Sequence, residues 1–107
     1  MPTTTTTNPP AWNPYYLTHA SQLRTEALYR ETDGIRADDF AEDASRAGNL
    51  TLAAQCNRRA ATCYREAATW YRMAAMVDGG LPSDHVMAVA LDLVADKLDA
   101  CAQGLAA

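Results

Sequence analysis

Apolar and polar positions recur with helical spacing over most of this chain, and no segment shows the alternation of a strand. The most regular stretch, 53–80, reads as four heptads: AAQCNRR, AATCYRE, AATWYRM and AAMVDGG. A seven-residue repeat keeps positions a and d on one stripe of a helix. With Ala53 at a, the predicted seam is Ala53, Cys56, Ala60, Cys63, Ala67, Trp70, Ala74 and Val77. Alanine at every a position lets a neighbouring helix approach more closely than leucine would. The helix from about Leu50 to Val77 is therefore predicted to bind other helices.

Three further helices are predicted around it. Asn13-Pro14 supplies a cap and a proline at the first helical position, opening a helix to about Glu31 with Tyr16, Ala20, Leu23, Ala27 and Leu28 inward. Asp33-Gly34 reads as its stop. A short helix from about Ile35 to Ala47 follows, with Ala37, Phe40, Ala41, Ala44 and Ala47 as its apolar stripe. Gly48-Asn49 closes that helix and caps the next. After Asp78-Gly79-Gly80 and Pro82, Ser83 is placed to cap a last helix to about Gln103. Its stripe is Met87, Leu91, Val94, Leu98, Cys101 and Leu105, widened by Val86, Ala90 and Leu93. Residues 1–12, rich in Thr and Pro, are predicted to form a flexible arm in which Trp12 is the one adhesive residue. Residues 13–107 form one domain. The fold class is all-α: an antiparallel bundle of three to four helices with one long Ala-rich heptad helix.

Composition tests that reading. Leu, Ile, Val and Phe number 16, about 15% of the chain, which is low enough to raise disorder. The net charge of only -4 and 22 periodically placed alanines argue for order instead. Charge is sorted by helix: 33–47 carries a net -3, 49–77 a net +3, and 84–103 a net -3. Arg58, Arg65 and Arg72 all occupy position f, one basic stripe that is either a solvated face or a dock for an acidic partner. Asp38, Asp39, Glu42 and Asp43 form an acidic face suited to a basic groove. An acidic chain with almost no lysine is a poor ligand for nucleic acid.

Reactive constellations are missing from the sequence: no P-loop, GxGxxG, HExxH or nucleophile elbow. The expectation is a non-enzyme without cofactor or metal. Cys56 and Cys63 lie two turns apart on one helix, too far for a disulfide or a shared zinc ion. Three cysteines, an odd count, fit a reducing compartment. No apolar run is long enough to span a membrane and no export signal is visible, so the expected location is cytoplasmic. Asp92, Asp96 and Asp99 read as a solvated face. Tyr64 and Tyr71, at consecutive e positions beside Trp70, are candidates for either core or interface hot spot, together with Tyr15, Tyr16 and Tyr29.

Residues 37–61 resemble a single tetratricopeptide-type helical hairpin. Ala41 stands at the small position of the first helix, Gly48-Asn49 at the turn, and Ala53 and Ala60 at the small positions of the second. Ala37, Ala44 and Asn57 depart from it where large or aromatic residues are expected, and one unit is present where about three bury a continuous core. The resemblance implies an antiparallel hairpin and peptide or protein binding. The function expected from all this is a small protein–protein interaction module, adaptor or inhibitor of a larger complex, by analogy with phage- and plasmid-type accessory proteins that block host machinery. Two alternatives are a homo-oligomer packed through the Ala seam or the last helix, such as a homodimer, and a ligand-binding bundle with a pocket lined by Tyr64, Trp70, Tyr71 and Met73.

Overall fold

The structure, a computed structural model, describes residues 19–106. The regular structure among them is three helices: α1, Ala20–Arg46; α2, Leu50–Ala75; and α3, Pro82–Ala106. The α2 helix packs along both others, whereas α1 and α3 scarcely meet. The three-helix bundle is thus opened toward a layer, 15 Å through its thinnest dimension, little more than one helix diameter. The predicted arm, the helix start at Asn13-Pro14 and the aromatics Trp12, Tyr15 and Tyr16 lie outside the described residues.

One prediction fails in the first half. The expected stop at Asp33-Gly34 does not exist, and α1 runs through it unbroken. Gly34 is buried, and a Cβ there would stand 2.8 Å from Cε1 and 2.9 Å from Cδ1 of Tyr64. The glycine is a notch for that ring. Glycine inside a helix costs about 1 kcal/mol against alanine, which the buried ring offsets. With the break removed, α1 shows its own heptad. Ala20, Ala27, Gly34 and Ala41 recur every seven residues, interleaved with Leu23, Ala37 and Ala44, and all are buried. Leu28, Tyr29 and Phe40, expected inside or in the aromatic cluster, are exposed instead, Phe40 by 64%.

The turn after α1 forms where it was expected. Gly48 has φ 80°, the left-handed conformation that glycine adopts without a Cβ clash. Asn49 N–H donates to Ala44 O at 2.9 Å and Gly48 N–H to Ser45 O at 3.0 Å, satisfying the last carbonyls of α1. The Asn49 side chain accepts from Leu52 N–H at 3.1 Å and caps α2.

On α2 the buried arc is wider than an a/d seam and turned away from it. Ala53, Ala60, Ala67 and Ala74 are fully buried, as are or nearly are Ala54, Ala61 and Ala68 at position b. Position e, not d, lies at the centre: Asn57, Tyr64 and Tyr71 are all buried, while Cys56 and Trp70 are partly exposed. The physical reason is that α2 has two neighbours, so two stripes are covered and e lies between them. The Ala seam is intramolecular.

The α3 helix keeps Leu91 buried and Leu98 and Leu105 half-buried, but its tight positions are Ala88, Ala95 and Ala102. Val86, Leu93 and Val94 of the predicted stripe are exposed. The cap is also not Ser83. Pro82 is the first helical residue, and Asp84 reaches back to accept from Leu81 N–H at 2.8 Å. The same carboxylate is 2% exposed and receives both Nε (2.5 Å) and Nη2 (2.7 Å) of Arg24, which also donates to Gly79 O at 2.6 Å. One ion pair thereby ties the start of α1, the α2–α3 loop and the start of α3 together.

Candidate functional site

The predicted site residues divide sharply by environment. The basic stripe of α2 is turned toward α3. Arg65 pairs with Asp96 at 2.9 Å and Asp99 at 2.6 Å, and Arg72 pairs with Asp92. The aspartates expected to form a solvated face are therefore the counter-ions of the arginines expected to form a dock. The third member, Arg58, is exposed and has no ion pair among the described residues. Both clamps are about two-fifths exposed on the arginine side, so each contributes roughly 0–1 kcal/mol.

Tyr64 and Tyr71 are core residues, 7% and 5% exposed. They share one core cluster with Ala27 and Ala37 of α1 and Ala88, Leu91 and Ala95 of α3, and the Tyr71 hydroxyl donates to Glu31 Oε1 at 3.4 Å. Burial raises the pKa of both phenols. For Tyr64 the carboxylates of Asp38, Glu31 and Asp39 add to the effect; for Tyr71, Glu31 does. Trp70 and Met73 are half-buried, and Arg30 lies over the Trp70 ring at 5.8 Å. Trp70 packs against the core that holds Tyr64 and Tyr71, and Met73 against the smaller cluster of Ala20, Leu23 and Ala74.

The acidic face of α1 is different. Glu42 and Asp43 share Arg46, at 3.1 and 3.4 Å. Asp38 and Asp39 have no cationic partner among the described residues. Asp38 has its pKa raised, first by partial burial and then by repulsion from Asp39 and Glu42. Beside it lies a hollow of about 230 Å³ lined by Asp38, Ala41, Glu42 and Ser45 of α1, Asn57 of α2, and Cys101 and Leu105 of α3. Asn57 forms its base. It is 6% exposed and its Nδ2 donates only to the Cys101 sulfur, at 3.6 Å. A thiol is a weak acceptor, and the Asn57 carbonyl oxygen has no donor among the described residues.

A second hollow, about 250 Å³, lies on the other side of the α1 seam and is lined by Asp33, Arg36, Ala37, Phe40, Cys56 and Arg59. Its charges are mixed, with Arg36 and Asp33 at 3.7 Å. The cysteines are all free thiols. Cys63 is buried, with its pKa raised by burial and then by Glu66, whereas Cys101, expected to be buried, is exposed. Among the described residues no group of three His, Cys, Asp or Glu side chains could hold a metal ion, and no helix is long and apolar enough to cross a membrane.

In the sequence, the asparagine at the base of the hollow is marked by its departure from a repeat pattern. A second signal was available: a polar residue in register with Tyr64 and Tyr71, at the e position of an Ala-lined heptad. No family model, curated protein or solved structure matches the chain.

Proposed function

We propose that this chain is a small non-enzymatic protein–protein interaction module, an adaptor or an inhibitor of a larger complex, which presents the acidic half of α1 to a basic surface of its partner. One observation carries the reading. Asp92, Asp96 and Asp99 of α3 are matched by arginines of α2, whereas Asp38 and Asp39 have no cationic partner among the described residues, and Asp38 carries its charge against partial burial and repulsion. Uncompensated charge costs folding free energy and is recovered when a complementary surface arrives.

The test is a tagged pull-down with three proteins in parallel: wild type, Asp38→Lys/Asp39→Lys/Glu42→Lys/Asp43→Lys, and Arg58→Glu. The expected result is a stoichiometric partner, released by salt, that is absent from the acidic-face variant and retained by Arg58→Glu. A partner captured equally by all three would sink the reading.

A second reading has its own observation. The outer face of α3 exposes Val86 (64%), Leu93 (57%) and Val89 (44%) in one helical stripe, and contiguous apolar surface of this kind marks association. In this reading two copies pair through α3. Sedimentation of wild type against Val86→Lys/Leu93→Lys decides it: a dimer that the substitutions convert to monomer supports pairing, and a wild-type monomer at high concentration removes it.

A further inference from the structure

We propose that the hollow bounded by Asp38, Glu42, Ser45, Asn57, Cys101 and Leu105 is a socket for a single lysine or arginine side chain of a partner protein. The inference rests on the interaction reading above and names the chemistry that reading leaves open. Three observations converge on it.

The first is size. At about 230 Å³ the hollow falls below the roughly 300–1,000 Å³ of small-molecule and cofactor sites, yet it has room for one long side chain. The second is the arrangement of its walls. Ala41 and Leu105 offer apolar surface to an aliphatic stem, and Asp38 and Glu42 stand on the α1 wall where the charged head would arrive. Long cationic side chains bury their stems in this way and keep their heads among polar groups. The third is Asn57. The side chain is 6% exposed, yet its carbonyl oxygen is not sealed from water, so a cationic N–H entering the hollow would take the place of water there. The amide's place at the base of the hollow lets an ammonium or guanidinium N–H donate to that oxygen. The carboxylates alone would describe any acidic surface; the amide between helices makes this a place of defined depth.

Arg46 of the same chain does not fill the role, because it lies along α1 on Glu42 and Asp43. Asp38 is left as the principal anion, with Glu42 already shared.

The test uses isotope-labelled full-length protein and a 17-residue Ala/Leu helical peptide carrying one central lysine. The same peptide with norleucine, the uncharged analogue of lysine's stem, is the control. Saturable amide shifts are expected at Ser45, Cys101, Leu105 and the Asn57 side-chain NH2, with at least tenfold weaker binding of the norleucine peptide. Asp38→Asn/Glu42→Gln should weaken the lysine peptide at least tenfold. Asp38 carries its charge against partial burial and the repulsion of Asp39 and Glu42, and Glu42 gives up only an exposed pair with Arg46; the urea midpoint of Asp38→Asn/Glu42→Gln at pH 7 should therefore stay near that of wild type, which separates a loss of binding from a loss of fold. Equal binding of the two peptides, shifts mapping elsewhere, or no saturation would overturn the socket. A lysate partner lost with the acidic-face variant, but no response to the lysine peptide, would remove the socket and leave the interaction module standing. The reverse pattern would leave a cation-binding hollow but overturn both the module and a partner's side chain as the occupant.

Discussion

At the scale of single residues, stability concentrates at two places that have no local sequence signal. Gly34 is required by the Tyr64 ring 2.8 Å from where a Cβ would sit. Gly34→Ala gains helix propensity, up to about 1 kcal/mol, but overpacks a buried ring at a cost of about 1–3 kcal/mol. A net loss of about 1 kcal/mol is expected in urea unfolding. In a Tyr64→Ala background the same substitution should stabilise, and the double-mutant cycle reads the coupling directly. Asp84 is the second place. Arg24, first by its hydrogen bonds, holds this carboxyl below the usual carboxylate range. A depressed pKa contributes stability that is complete above the unfolded value, about 3.9. That stability is lost as pH falls through the lower folded value. Wild type should therefore lose stability below about pH 4. Asp84→Asn should be destabilised at pH 7 by roughly 3 kcal/mol, since it strands Arg24, and its urea midpoint should vary less with pH in that acid range.

At the scale of helices, each element buries a stripe of small residues, and charge then decides which outer flank faces which neighbour. The heptads of α1 and α3, built on Ala20, Ala27, Gly34 and Ala41 and on Ala88, Ala95 and Ala102, match that of α2. Only the α2 repeat is plain in the sequence. In α1 it is hidden by a glycine that local rules read as a stop, and in α3 by larger apolar residues on its exposed flank. Arg65→Gln/Arg72→Gln removes the clamps between α2 and α3. Because these pairs are substantially exposed, the double variant should cost only about 1–2 kcal/mol at low salt. The difference from wild type should shrink at high ionic strength, as thermal melts at two salt concentrations would show. The acidic and basic stripes were visible as composition; their mutual pairing was not, because Arg65 and Asp96 are 31 residues apart.

For the whole molecule, the consequence of the open arrangement is an uneven distribution of protection. The α2 helix is covered on two flanks, whereas α1 and α3 each have one covered flank and scarcely support one another. Native-state hydrogen exchange follows the burial and packing of each element. Amides of Ala60–Ala68 should exchange slowest, and those of the outer helices faster. The amides around Gly34 should be as protected as the rest of central α1, since the helix is continuous there; rapid exchange confined to 34–37 would contradict that continuity. The thin layer also explains why so much apolar surface is exposed: Val86, Leu93 and Phe40 have no opposing layer within the described residues.

Local periodicity by itself determined the all-helical class, the Gly48-Asn49 hairpin and the close-packing alanines, because each depends on residues within a turn or two of one another. Only the tertiary structure decided that Gly34 is a notch and not an end, that Tyr64 and Tyr71 lie at the centre of the buried arc, and that Asp84 anchors three segments. It also separated the neutralised carboxylates of α3 from the uncompensated Asp38, whose neighbours across the hollow, Asn57 and Cys101, stand on two other helices. The physical reason is one of range: hydrogen bonds and ion pairs select partners by position in space, and a helical repeat specifies the face of a helix without specifying how many neighbours will cover it.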